Sequence, residues 1–478
     1  MLPLATAAGS GSNRAMDGPE PLVIGRRAFV GGALLAATPA VAAAAPRRDW
    51  AALGEAVRDE MRWAWSQYRE HAWGKDEIRP VSGGASSFPL KGHHLGLSLI
   101  EAMDTLWVMA LDAEFADALG WVKAQAAFDV DGEVSVFETS IRLVGGLLSA
   151  HHACGDPALL ALARDLADRL LPAFATPTGM PYRYVNLRTG ATRDPATNPA
   201  EVGTFLPEWG TLSRLTGDPK YHDAARRAAL APYARRSRLD LLGTRIDALT
   251  GEWLDGRATI GSYADSYYEY LWDSWDLLGD REMLVMYRTC TAAILRHQAV
   301  RQGGALWFAD VDMTTGARLS SREDELAAFY AGLLAQGGNR AEGAAYARSW
   351  AAVQDRFGVL PEEWDFAAAT PTQPGNALRP ELADAAFTLW LGDRGPEWRE
   401  LGARHFDAMR RWHKAPFGYT DLADVTTKRQ ADHCPGYWWS EQMKYYWLLF
   451  ADAPRFDYGR NYLSTEGNVL LGFKRGVA

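Results

Sequence analysis

The chain has 478 residues, 48% hydrophobic, 11% aromatic and 23% charged, a balance that excludes disorder and allows a large buried core. The formal net charge is −9 and no cluster of Lys and Arg stands out, which argues against nucleic acid and anionic membranes as partners. The three cysteines, Cys154, Cys290 and Cys434, can make at most one disulfide and match no zinc spacing, so they are expected to be small core residues.

The first predicted element is an export signal. Gly25-Arg26-Arg27-Ala28-Phe29-Val30 is a twin-arginine pattern, an apolar run follows from Gly31 to Ala37, and the stretch from Ala40 to Ala45 offers A-x-A cleavage options. The apolar run is too short for stable membrane insertion. Residues 1–46 are therefore expected to be a twin-arginine signal peptide, and 47–478 one domain of a bacterial protein that is periplasmic or secreted.

Beyond the signal the chain repeats itself. A short turn with Gly or Ala beside Asp or Asn separates helical patterns at Leu111-Asp112-Ala113, Gly155-Asp156-Pro157, Gly217-Asp218-Pro219 and Gly279-Asp280-Arg281. It returns at Gly337-Gly338-Asn339, Gly392-Asp393-Arg394 and Ala451-Asp452-Ala453. Gly supplies a left-handed helix stop, and Asp or Asn caps the next helix. The helix before each turn is apolar and aromatic, as in Tyr267-Tyr268-Glu269-Tyr270-Leu271-Trp272. The helix after it carries a charged face, as in Tyr221-His222-Asp223-Ala224-Ala225-Arg226-Arg227. Seven such hairpins predict an all-α fold, an (α/α)7 barrel of seven inner and seven outer helices in one domain. A solenoid of the same hairpins is the weaker alternative, because polar residues on buried inner helices need a closed cavity to face.

The inner helices carry acids. In 136–150, Phe137, Ile141, Val144 and Leu148 share one predicted face, and Glu138, Arg142, Gly145 and Ser149 form the adjoining stripe. Gly145 and Gly146 each cost roughly 1 kcal/mol against Ala in mid-helix, so another element or a ligand is expected to approach closely. Glu208 follows Phe205-Leu206-Pro207, Asp265 opens an aromatic helix, Glu381 follows Leu378-Arg379-Pro380, and Glu441 sits among Trp438, Trp439, Tyr445 and Tyr446. Singly, each acid reads as a cap or an ion-pair partner. As a set beside aromatic rings they suit a sugar pocket, where carboxylates bind hydroxyls and glycoside hydrolysis uses one protonated and one ionised carboxyl.

Ordered motifs extend this reading: Ala72-Trp73-Gly74-Lys75-Asp76-Glu77-Ile78-Arg79-Pro80, Gly96-Leu97-Ser98-Leu99-Ile100-Glu101-Ala102-Met103-Asp104-Thr105-Leu106-Trp107, Phe137-Glu138, Ala264-Asp265-Ser266-Tyr267-Tyr268-Glu269-Tyr270-Leu271, Leu378-Arg379-Pro380-Glu381 and Ser464-Thr465-Glu466. Together they resemble the class I alpha-mannosidases of glycoside hydrolase family 47, from Ala72 to about Glu466. The resemblance implies a seven-hairpin barrel and a calcium-dependent, inverting exo-α-1,2-mannosidase. It implies Glu138 as general acid acting through a water, Glu381 as general base and Asp265 as a third essential carboxylate. Thr465 would be the one direct protein ligand of Ca²⁺, through its hydroxyl and carbonyl oxygens. Arg142, Glu208, Arg379, Tyr437, Glu441 and Glu466 would hold the sugar or calcium-bound waters. The implied substrate is a mannose-containing oligosaccharide, and the implied state a monomer.

The chain departs from this pattern in places. Tyr437 stands where the family usually has Phe. Glu325-Leu326-Ala327-Ala328-Phe329 replaces a His-Leu-x-Cys-Phe pattern, and Tyr263 occupies a position that influences branch preference. A non-catalytic, lectin-like mannose-binding module on the same barrel is one rival reading. A sugar epimerase is another, and it would lean on histidines such as His93-His94 or His151-His152.

Overall fold

The computed structural model describes residues 48–452 and 454–472. The expected signal peptide lies outside the described residues, as does Ala453 of the last predicted turn. Helices alternate along the chain: α1 (Trp50–His71), α2 (Leu97–Val108), α3 (Asp112–Gln125), α4 (136–154), α5 (Pro157–Leu170), α6 (Leu206–Thr216) and α7 (Lys220–Ala234). They continue with α8 (Asp265–Leu278), α9 (Arg281–His297), α10 (325–336), α11 (Arg340–Phe357), α12 (Glu381–Asp393), α13 (Pro396–Trp412) and α14 (438–450).

Composition decides which helices go inside. In α2 every residue but Trp107 is buried, whereas in α3 only Phe115, Ala118 and Val122 are. A helix apolar nearly all round must be enclosed, and one with a charged face can stay at the surface. The even-numbered helices are the inner ones. Each packs beside the next, and α14 packs back against α2, so the seven close a ring. The architecture is the (α/α)7 barrel read from the repeat, and closure rules out the solenoid.

Two turns follow the predicted chemistry closely. Gly155 and Gly279 stop α4 and α8 in the left-handed region, at φ 71° and 77°, and Asp156 and Asp280 cap the helices that follow. The last predicted turn is corrected. α14 ends at Ala451 in extended conformation, and no helix follows it among the described residues. Its outer partner is α1, from the other end of the chain. After Ala451 the chain forms a β-hairpin, Asn461–Leu463 paired with Val469–Leu471.

That hairpin plugs the barrel. Asn461 meets His152 near the C-terminal end of α4 at 3.0 Å, and Arg214 near the end of α6 donates to the Leu471 carbonyl at 2.9 Å. The tip reaches further in, where the Asn468 amide donates to the Ile141 carbonyl at 2.9 Å. The other short strands lie on connections from an outer helix to the next inner one, and several pair across neighbouring connections. They stitch a rim around the N-terminal ends of the inner helices.

The close approach expected at Gly145 and Gly146 is present. A Cβ on Gly145 would lie 2.4 Å from Asn468 Nδ2, and one on Gly146 would lie 2.8 Å from Ile100 Cγ2. The predicted apolar face of α4 is corrected. Thr139–Val144 is wound as a π-helix, so Phe137 and Ile141 turn to a pocket while Val144 and Leu148 stay in the core. The cysteine reading is corrected too: Cys290 and Cys434 are buried, but Cys154, the last residue of α4, emerges at the surface. Among the described residues no helix is long and apolar enough to cross a membrane.

Candidate active site

Acids near the N-termini of inner helices sit where helix dipoles are positive, and the ring brings these ends together. Asp265 and Glu381 are the first residues of α8 and α12, and Glu138 lies in the first turn of α4, whose backbone N–H Ser135 Oγ caps. A pocket of about 260 Å³ opens here. Its wall includes Glu138, Arg142, Asp265, Arg379, Glu381, Tyr437, Glu441, Thr465 and Glu466. Phe137, Tyr263, Phe329 and Tyr445 add aromatic surface. Of the residues expected from sequence, only Glu208 stands back. It is fully buried behind the wall, its Oε1 accepting from Tyr270 at 2.5 Å.

Two arginines organise one side. Arg142 Nε lies 2.7 Å from Glu138 Oε2, and its Nη1 lies 3.1 Å from Glu466 and 3.2 Å from Glu101. Arg379 Nη2 pairs with Glu362 at 3.0 Å. The Tyr437 ring lies against both guanidiniums, at 5.3 Å from Arg142 Cζ and 5.7 Å from Arg379 Cζ. Its hydroxyl donates to the Ala377 carbonyl at 2.6 Å, a tether that a Phe could not make.

Elsewhere acids outnumber bases. Burial pushes Asp265, Glu381, Asp384 and Glu466 up to about 7, and Glu208 to about 8. Glu269 and Glu441 are pushed well up by burial, and then by neighbouring carboxylates. Buried Glu381 Oε2 and Glu208 Oε2 have no hydrogen-bond partner. Glu269 and Asp384, both in the pocket wall, escaped the sequence reading. Their signal was helical spacing: Glu269 is one turn beyond Asp265 and Asp384 one turn beyond Glu381, so each shares its partner's face. Glu101 and Glu362 carried no comparable signal, because only the fold brings them to Arg142 and Arg379.

The donor set suits a hard cation. Thr465 lies beside Glu269, whose carboxyl it favours in the charged form, and Glu441, Glu466 and Asp384 line the same pocket, so the available ligands are oxygens. Among the described residues no three Asp, Glu, His or Cys side chains are placed to ligate a metal directly. A cation here would meet Thr465 oxygens and reach the carboxylates through water. No histidine lines the pocket: His94 pairs with Asp76 at 3.2 Å and His152 lies against Asn461. The epimerase reading loses its catalytic group.

A closed helical barrel whose one mouth gathers buried carboxyls and aromatic faces is the architecture of a carbohydrate-active enzyme. The sequence profile of Glycosyl hydrolase family 47 matches residues 60–471. Alpha-mannosidase I MNS5 of Arabidopsis thaliana is 35% identical over 444 residues, covering 87% of this chain and 76% of the relative. ER degradation-enhancing alpha-mannosidase-like protein 2 of Homo sapiens is 34% identical, covering 87% and 75%. The solved alpha-1,2-mannosidase from Trichoderma reesei superposes with a TM-score of 0.78 at 23% identity, covering 88% of this chain and 99% of that one. The chain belongs to glycosyl hydrolase family 47.

Proposed function

We propose that this enzyme is a calcium-dependent, inverting exo-α-1,2-mannosidase that releases terminal mannose from oligosaccharides or glycoproteins. The observation that carries the reading is Glu381: a half-buried residue in the pocket wall, one of whose carboxyl oxygens is enclosed and lacks any hydrogen-bond partner. The lone pairs of that oxygen are not taken up by any protein donor and remain free to accept a proton from an attacking water. The names of relatives called mannosyl-oligosaccharide 1,2-alpha-mannosidase, 31–32% identical to this chain, support α-1,2-linked mannose as substrate. The hairpin plug supports exo-action, because a pocket floored by Thr465 admits a chain end and not a passing chain.

In this scheme Glu381 takes a proton from water as the water oxygen bonds to the anomeric carbon. The bond from that carbon to the glycosidic oxygen breaks, and the departing oxygen receives a proton from the side of Glu138 and Asp265. Asp265 and Glu381 are both pushed up to about 7 by burial, so near neutrality one can hold a proton while the other has released it. Attack opposite the leaving group gives inversion. Arg142 and Arg379, fixed by Glu138, Glu466 and Glu362, orient the sugar beside the Tyr437 ring. Thr465, with Glu269, Asp384, Glu441 and Glu466 through waters, would hold a Ca²⁺ ion. When bound, that ion would supply charge to grip the ring hydroxyls and favour a distorted pyranose.

The twin-arginine pattern supports export of the folded chain to the periplasm or beyond. The test of the activity is digestion of α-1,2-mannobiose with NMR of the first-formed sugar. Initial β-mannose is expected. Binding without turnover would favour the lectin reading, and initial α-mannose would make one of the acids a nucleophile.

A further inference from the structure

Lys444 is fully buried in α14, and no step proposed above uses it. Its Nζ lies 2.7 Å from Asp104 Oδ2 of α2, itself buried, and also donates to the Gly467 carbonyl in the hairpin. The same Asp104 oxygen accepts from Ser149 Oγ of α4 at 2.5 Å and from the Val469 N–H at 2.8 Å. One ion pair therefore joins three inner helices to two backbone groups of the hairpin, two residues apart. Thr465 lies two residues before Gly467.

Burying two charges is costly, and an apolar pair of similar volume is often as stable or more so. A buried pair is therefore better read as a device that fixes register. The hairpin needs one: its strands have three residues each, too few to set their own pairing. A slip of one residue would turn every side chain to the other face, Thr465 included. The tip also presses hard on its neighbour, since a Cβ on Gly467 would lie 2.8 Å from the Ser440 carbonyl oxygen.

We propose that Lys444 and Asp104 are positioning residues for Thr465, setting the depth and register at which its oxygens are offered to the cation. The inference rests on the calcium reading above. Single substitutions leave a buried charge unpaired, so the informative variant is Lys444→Met with Asp104→Asn, which removes both charges and keeps the shape. The metal-stripped full-length protein is titrated with Ca²⁺ by calorimetry, and its melting temperature is read in EDTA. The expected result is a melting temperature close to that of the wild type with Ca²⁺ affinity weakened at least about tenfold. A merely structural pair would move the melting temperature and leave affinity intact, and unchanged affinity in the folded variant overturns the proposal. Wild-type protein that takes up no Ca²⁺ would overturn the calcium reading and this proposal with it, whereas loss confined to the variant separates the two.

Discussion

Asp265 and Glu381 are mounted in the same way: each opens an inner helix, and each closely follows a non-glycine residue in the left-handed region. Tyr263 has φ 82° and Leu378 has φ 57°. Such conformations cost on the order of 1–3 kcal/mol and persist only where the surroundings hold them. Around Leu378 they do. Its N–H donates to Asn376 Oδ1 at 2.9 Å, the Ala377 N–H donates to Glu362 at 2.6 Å, and Tyr437 holds the Ala377 carbonyl. The strain fixes where the Glu381 carboxyl enters the pocket, and the Asp265 charge adds to the burial that raises it.

Glu381→Gln keeps the shape and loses the proton acceptor. Turnover of α-1,2-mannobiose should fall by roughly 10²–10⁴-fold, the usual worth of a general base. Substrate binding, measured by calorimetry, should persist because the arginines and the aromatic wall are untouched. Near-normal turnover would remove Glu381 from the chemistry.

The buried carboxyls make the metal-free protein sensitive to alkali. Asp265 and Glu381 are raised to about 7 and Glu208 to about 8, so between pH 4.5 and those values the folded chain binds more protons than the unfolded one. Their stabilising contribution is complete below the unfolded values and is lost as pH rises through 7 and 8. His405 and His413 act oppositely, pushed down by burial to about 3 and 4, so their contribution is lost as pH falls from 6.5. Above 6.5 these two histidines are neutral in both states, and His433, raised by its contact with Glu77, loses stabilisation with rising pH alongside the carboxyls. The melting temperature in EDTA should therefore fall from pH 6.5 to about 8.5. A flat or rising curve would show these groups to be solvated.

Much of this was legible because helical repeats write themselves into sequence. Six of the seven predicted turns join an inner helix to the outer helix that follows it, and carboxylates beside aromatic residues on apolar helices marked the inward face. Glu269 and Asp384 aside, what escaped had no local signal. The π-turn at Thr139–Val144 shifts register by one residue without an unusual composition, so nothing in the sequence separates Phe137 and Ile141 from the face of Val144 and Leu148. The partnership of α14 with α1 joins the two ends of the described chain, and no turn announces it. Glu362 and Glu101 became site residues through contacts that span many residues in sequence. Cys154 is apolar by type but falls at a helix end, where the chain leaves the core.

Glycine substitutions separate propensity from packing. Gly120, exposed in α3, has open space where a Cβ would go, so Gly120→Ala should stabilise by about 0.5–1 kcal/mol in urea unfolding. Gly145→Ala gains the same propensity but drives its methyl to 2.4 Å from Asn468 Nδ2. That amide is tied to the Ile141 carbonyl and cannot yield freely. Overpacking should win, with a net loss of roughly 1–2 kcal/mol. A stabilising Gly145→Ala would mean that the hairpin shifts easily.

Calcium removal should stop turnover and leave the fold standing. A cation held directly by Thr465 alone touches one tip of one hairpin, whereas the core joins every inner helix to its neighbours. At roughly 25 cal/mol per Å² of apolar surface, burial across seven inner–outer helix pairs far exceeds what one such contact contributes. The carboxyls that repel one another without the ion can take up protons instead, as their raised values allow. Helical circular dichroism should therefore be unchanged in EDTA near neutral pH, while mannose release ceases and returns when Ca²⁺ is restored. Collapse of the helical signal on chelation would make the metal structural, and turnover that survives chelation would place the sugar's grip in the arginines and carboxylates alone.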